Sequence, residues 1–265
     1  MRCSFFAILF FLFGCGKKTD FSQIKVIGHA GMGLEMTNSM FHDNSKEAIE
    51  YALSINGCNG VEVDVQISKD GQLWLYHDPK LETQTNSTGC IYDKNSSELE
   101  QINYSSWYHE KLSKLNDLDP NLLLGKTLYL DIRNFEFCSN SIISTDKILN
   151  ALNQVGFLKN SEIEVIVVSH QLSFLQDLHL AGYHVALEMS DPATFDGNHA
   201  QFTDLKEVIV KNKSISKEKV VYIQSTGVKV TLFEMRSASG TRKALNKFPN
   251  SIITDDLRES IIEVY

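Results

Sequence analysis

The chain has 265 residues, 43% hydrophobic and 22% charged, with only 4 prolines. That suits one large domain with a substantial core, or two small ones. Its net charge is −8, and no basic run breaks the sequence, which argues against nucleic acid as a partner. The same acidity implies that an anionic substrate would be held through a metal or a few placed cations. No internal repeat or low-complexity segment stands out.

The first segment, MRCSFFAILFFLFGCG, places Arg2 ahead of an apolar run from Cys3 to Gly14. A bilayer core of ~30 Å needs about 20 apolar residues, so this run reads as the hydrophobic part of a secretory signal. Leu12-Phe13-Gly14-Cys15 resembles the bacterial lipobox, where the cysteine is lipidated and becomes the new N-terminus. The expectation is a lipoprotein signal over 1–14, lipid attachment at Cys15, a tether over 15–23 and one domain over 24–265. An ordinary signal peptide or an uncleaved anchor is the alternative. On this reading the protein is exported and held on a membrane by its lipid, on the periplasmic or cell-surface side.

Apart from Cys3 and Cys15, the cysteines are Cys58, Cys90 and Cys138. In an exported protein, one disulfide and one free thiol are expected. Three pairings are open. Cys90 with Cys138 is favoured, because both follow strands that carry candidate site residues, and Cys58 reads as a core thiol.

From residue 24, short apolar runs alternate with helical periodicity. IKVIGH (24–29) is a strand. Residues 43–55 form a helix with Ala48, Ile49, Ala52 and Leu53 on one face, capped by Asn44 or Ser45 and stopped at Asn56-Gly57. VEVDVQI (61–67), LWLYH (73–77) and TLYLDI (127–132) are strands, followed by a helix over 140–155. IEVIVVS (163–169) and YHVALEM (183–189) are strands flanking a helix over 171–180. A helix over 202–212, strands at 220–224 and 228–233, a helix over 236–247 and a strand at 251–256 complete the chain. Strands alternating with helices point to a parallel sheet, and about eight units in this length point to a (β/α)8 barrel of the TIM type. An open doubly wound sheet is the alternative, but no glycine-rich phosphate loop follows the first strand.

The stretch VEVDVQISKDGQLWLYHDP (61–79) concentrates the chemistry. Asp70-Gly71 reads as a two-residue hairpin turn, which sets His77 opposite Asp64. Glu62 and Asp64 share one face of their strand, while Val61, Val63 and Val65 take the other. Paired carboxylates repel unless a cation sits between them, and an all-oxygen set suits Mg²⁺ or Ca²⁺ rather than zinc. Asp131 ends another strand and offers a third oxygen. Arg133 shares its face and could hold a phosphate. His29 ends the first strand, and with His77 it supplies an acid and a base.

The ordered set GHAG (28–31), HDNS (42–45), EVD (62–64), SKDG (68–71), HDP (77–79), DIR (131–133) and IITDD (252–256) resembles the glycerophosphodiester phosphodiesterase family, a TIM-barrel group of metal-dependent enzymes. The resemblance covers roughly residues 24–256. It implies His29 and His77 as the acid/base pair, Glu62, Asp64 and Asp131 as ligands of one divalent cation, and Arg133 as a substrate contact. The implied reaction is hydrolysis of a small phosphodiester, such as a glycerophosphodiester, to an alcohol and glycerol phosphate. In the family the substrate's glycerol hydroxyl attacks first. His77, beside Asp64, is the expected general acid, and Asp78 is either its orienter or a turn residue. Asp255 and Asp256 match the closing segment and are given no catalytic role, and His170 has no motif support.

Several positions depart from the family pattern. Ala30 replaces an arginine, His42 a proline, Asp43 and Asp131 glutamates and Arg133 a lysine, while VTLFEM stands where the family carries Trp-Thr-Val-Asn. These changes point to a divergent substrate. Phospholipase-D-like action on lysolipids or sphingolipids, and a non-catalytic barrel that binds headgroups, are the competing readings.

Overall fold

In the computed structural model, which describes residues 19–34, 36 and 39–265, the alternating segments close into a parallel barrel. Its strands are β1 (Lys25–His29), β2 (Gly60–Ile67), β3 (Thr127–Ile132), β4 (Glu164–Ser169), β5 (His184–Met189), β6 (Glu207–Lys211), β7 (Lys229–Met235) and β8 (Ser251–Thr254). Each pairs with the next, and β8 pairs with β1 to close the ring. Helices α1 (Lys46–Ser54), α2 (Thr145–Gln154), α3 (Leu172–Leu180), α4 (Phe195–Gln201), α5 (Lys217–Ser225) and α6 (Ala238–Leu245) connect strands, and α7 (Leu257–Val264) follows β8. Among the described residues, no helix is long and apolar enough to cross a membrane. The leader and Cys15 lie outside the described residues.

The strand alternation builds two apolar layers. Val61, Val63 and Val65 point outward and pack with Ile49 and Ala52 of α1. Ile27, Tyr129, Ile166, Ala186, Ile209 and Ile253 point inward and fill the barrel. Every residue of β2 is buried, so the acids between its valines face the lumen.

The N-terminal end of the barrel is closed by polar groups that satisfy one another. Glu207 accepts from Tyr129 Oη (2.8 Å) and Thr231 Oγ1 (2.6 Å), and Glu164 accepts from Lys25 Nζ (2.6 Å) and Thr127 Oγ1 (2.7 Å). The chain enters at this floor. Phe21 packs on Phe248 with ring centroids 5.8 Å apart, and the Lys25 amide donates to the Asn250 carbonyl (3.1 Å).

Two expected elements exchange identity. Residues 207–211 form a strand, not the end of a helix, because Val208-Ile209-Val210 is a buried β-branched run. Residues 217–225 form a helix, not a strand. Ser216 caps it by accepting from the Lys219 amide, and Val220 and Ile223 lie three apart on its buried face. The exchange explains the short gap between Gln224 and Val228, which joins a helix to a strand.

No regular helix joins β2 to β3 directly. An insertion over 68–126 takes its place, with its own core of Trp74, Tyr76, Leu81, Leu99, Ile102 and Tyr104. Its first strand, Leu73–Leu75, pairs antiparallel with β2, matching Val65 with Leu75 and Ile67 with Leu73. That register is one residue from the expected pairing. The turn is a three-residue loop over 69–71 bracketed by the Ser68 amide bond to the Gln72 carbonyl (2.9 Å), with Gly71 at φ +83°. A glycine in the left-handed region is what such a loop requires. Tyr76 therefore bonds the Asp64 carbonyl, and His77 lies beyond the strand rather than opposite Asp64. Cys90 and Cys138 form a disulfide with Cα atoms 6.0 Å apart, tying the insertion to the segment after β3, and Cys58 is a buried free thiol.

Candidate active site

The C-terminal ends of the strands surround a cavity of about 250 Å³ that His29, Glu62, Asp64, His77, Asp131 and Arg133 all line. The six residues named from the sequence are thus brought together. This is the face on which (β/α)8 barrels place functional groups.

His29 is set by a turn that needs its glycines. A β-carbon at Gly28 would lie 2.1 Å from the Gly31 carbonyl oxygen, and one at Gly31 would press on the backbone of α1. The His29 ring is gripped from behind, Nδ1 donating to Asp255 Oδ1 at 2.7 Å, while Nε2 lies 3.6 Å from Glu62 Oε2. Burial disfavours the charged ring. The Asp255 hydrogen bond and the Glu62 charge outweigh it and lift His29 to about 9. Asp255 is thus a site residue that the sequence reading left out. Its signal was present in the IITDD match, but an acid beside a strand end has no visible partner until the fold brings His29 to it.

His77 repeats the device. Its Nδ1 bonds Asp78 Oδ1 at 2.7 Å, which makes Asp78 an orienter and leaves Nε2 available to a ligand.

Glu62 and Asp64 are two apart on β2, and Asp131 is the direct partner of Asp64 across β3. One oxygen from each of the three lies within 4.8 Å of the others. Burial, then the Asp64 charge, push Glu62 well above the ordinary carboxylate range. Burial lifts Asp131 to about 7 against the pull of Arg133. Burial also acts on Asp64, but Arg133, His77 and an Asn44 hydrogen bond outweigh it and hold that group down. Arg133 Nη2 lies 2.8 Å from Asp64 and 3.4 Å from Asp131. Once ionised, three carboxylates outnumber the one guanidinium, and with an all-oxygen donor set they fit a hard divalent cation.

Asn44 fixes Asp64 from both ends. Its Nδ2 donates to Asp64 Oδ2 and its Oδ1 accepts from the Asp64 amide, both at 2.9 Å. Asn44 is wholly buried at φ +55°. Ser45, not Asn44, caps α1, which frees Asn44 for this role.

The far wall holds His170, Glu188, Lys211 and Glu234. None of them was singled out from the sequence, because each stands alone at the end of a different strand and only barrel closure groups them.

A model of the glycerophosphoryl diester phosphodiesterase family matches residues 29–262, beginning on the His29 that closes β1. The chain belongs to this family. A glycerophosphodiester phosphodiesterase from Bacillus altitudinis is 34% identical over 87 residues, 33% of each chain. One from Caldanaerobacter subterraneus subsp. tengcongensis is 26% identical over 153 residues, 55% of this chain and 59% of that one. The chain thus aligns with about a third of the first of these relatives and less than two thirds of the second. Among solved structures, a putative family member from Agrobacterium tumefaciens superposes with TM-score 0.76 at 17% identity, covering 90% of this chain and 96% of that one. An Oleispira antarctica phosphodiesterase in complex with the product sn-glycerol-3-phosphate superposes with TM-score 0.74 at 21% identity, covering 91% and 96%. These likenesses show the TIM-barrel fold. Where the family pattern carries an arginine, the buried Ala30 offers only a methyl group and so no cation.

Proposed function

We propose that the protein is a divalent-cation-dependent phosphodiesterase that hydrolyses glycerophosphodiesters to an alcohol and glycerol phosphate. The observation that carries this reading is the buried Glu62–Asp64–Asp131 triad flanked by two histidines, each held through Nδ1 by its own carboxylate. A cation bound by the triad, Mg²⁺ or Ca²⁺, would polarise the phosphoryl group and offset its charge.

The chain's own groups divide the remaining work. Arg133 Nε is buried without a hydrogen-bond partner among the described residues, a donor suited to a phosphate oxygen. His29, held protonated at neutral pH by burial-resistant contacts to Asp255 and Glu62, is assigned as the proton donor to the departing alcohol. A cation on Glu62 would weaken one of those contacts and leave the Asp255 hydrogen bond. His77, positioned by Asp78, then takes the proton of the attacking hydroxyl, which reverses the role expected from the sequence. The reversal has a direct test. A leaving group of low pKa needs no general acid, so His29→Ala should lose far less activity on a nitrophenyl phosphodiester than on an alkyl one. His77→Ala should lose equally on both, and the opposite pattern would restore the first assignment.

Hydrolysis itself is tested by assaying purified residues 19–265 on glycerophosphodiesters with Mg²⁺, with Ca²⁺ and with chelator. Folded protein that binds either ion yet releases no alcohol would sink the reading. We also propose export and lipid attachment at Cys15. The Cys90–Cys138 disulfide supports an oxidising compartment, and the mass of the mature N-terminus with and without Cys15→Ala checks it.

A further inference from the structure

The mouth of the barrel divides by strand. β8, β1, β2 and β3 end in the catalytic groups described above. β5, β6 and β7 end in Glu188, Lys211 and Glu234, which line the same cavity and carry none of the proposed ligand or proton-transfer roles, although the Glu188 charge is felt at Asp131.

Glu234 is the residue whose placement most needs a reason. Along β7, Val230, Leu232 and Met235 enter the outer core, while Thr231 and Phe233 point into the barrel. The pairing with β8 matches Leu232 with Ile252 but Met235 with Thr254, so β7 carries one extra residue. Glu234 sits in this bulge at φ +69°, in the left-handed region that disfavours residues with a β-carbon. The bulge turns two successive side chains, Phe233 and Glu234, toward one cavity. Bulges and strained backbone of this kind collect where a side chain must be re-aimed for function.

Lys211 stands beside it. It is the strand partner of Phe233, its Nζ lies 3.8 Å from Glu234 Oε1, and it covers the Phe233 ring 5.7 Å from the centroid. Three neighbouring strand ends therefore present carboxylate, ammonium and carboxylate in sequence. Carboxylates accept hydrogen bonds and an ammonium donates them, and a row of hydroxyls can answer both. A cationic amine headgroup would need an open aromatic face between acids. Lys211 occupies that face with a like charge.

We infer that Glu188, Lys211 and Glu234 form the subsite for the departing alcohol, and that it selects a neutral polyhydroxy alcohol over a cationic amino alcohol. The inference rests on the hydrolytic reading above and extends it to substrate class.

The test compares glycerophosphoglycerol with glycerophosphocholine. Wild-type protein should prefer the first in kcat/KM. Lys211→Met should reduce that preference by about tenfold or more, the worth of one charged contact. Glu234→Gly, which suits the left-handed backbone, should fold at least as well as wild type yet lose the preference, separating subsite loss from misfolding. A wild-type preference for the choline ester, or equal loss on both substrates in the variants, would overturn the assignment. Equal loss would mean that the wall holds the shared glycerol moiety. Equilibrium binding of both diesters to cation-free protein decides the matter if turnover is absent. A Kd ratio unmoved by Lys211→Met would overturn the subsite, and a moved ratio without turnover would overturn hydrolysis alone.

Discussion

Asn44 offers the sharpest test of how the carboxylate cluster is held. Asn44→Ala removes a hydrogen bond to the Asp64 carboxylate and leaves the Asp64 amide buried without its acceptor. Bonds to charged groups contribute about 1.5–3 kcal/mol, and an orphaned buried donor costs about 1–3 kcal/mol. Alanine at φ +55° adds about 1 kcal/mol of backbone strain that asparagine tolerates better. The sum is a loss of about 4 kcal/mol or more, which for a domain of this size lowers the melting temperature by roughly 10 °C. Asn44→Gly removes the same hydrogen bonds without the strain and should be about 1 kcal/mol less destabilising than the alanine variant. Urea denaturation of the three proteins without added cation measures both differences. A loss below about 1 kcal/mol for Asn44→Ala would refute the clamp, because it is smaller than one charged hydrogen bond. In folded Asn44→Gly, calorimetry should show cation affinity about 10- to 100-fold weaker, the usual effect of losing a group that orients a ligand.

The other expectations concern protons and cross-links. Without a cation, burial raises Asp131 to about 7 and shifts Glu62 in the same direction, so Asp131 is about half protonated at pH 7 and must lose that proton on binding. Calorimetry at pH 7 in buffers of different ionisation enthalpy should show release of about half a proton or more per cation, and affinity should fall as pH drops below 7. Zero release would contradict the buried triad. Asp255→Asn removes the hydrogen bond that most raises His29, so kcat should fall by about 10²-fold or more with the basic limb of the pH profile moved to lower pH. An unmoved limb would mean that His29 is not the titrating acid. Replacing Cys90 and Cys138 together by serine opens a link of 48 residues' separation and should cost about 2–4 kcal/mol. It should also slow turnover, because the bond joins the segment after His77 to the segment after Arg133. Unchanged stability in denaturant would argue against a formed disulfide.

The barrel was legible because alternation on β2 separates its valines from its acids so cleanly that the inner face is named by composition alone. The same logic failed over 202–225. There Val208-Ile209-Val210 and Val220-Val221 offer similar apolar runs, and only the cap at Ser216 tells strand from helix. The half of the site with the histidines and the triad was readable because its groups cluster in short motifs. Asp255 and Asn44 were not, since their roles depend on partners 226 and 20 residues away. The hairpin shows a subtler limit. Asp70-Gly71 correctly marks a turn, but loop length sets register, and one residue more moved His77 off the strand that was to aim it. It reaches the cavity through Asp78 instead.

Phe21, pinned against Phe248 at the barrel floor, gives the molecule a fixed back and front. Phe21 thus lies at the closed end, and the cavity that holds the triad opens at the other. A bead or a surface coupled at residue 19 would therefore sit nearer the closed end of the barrel than its mouth. On the proposed function, protein held that way would reach small dissolved diesters more readily than headgroups embedded in the supporting layer.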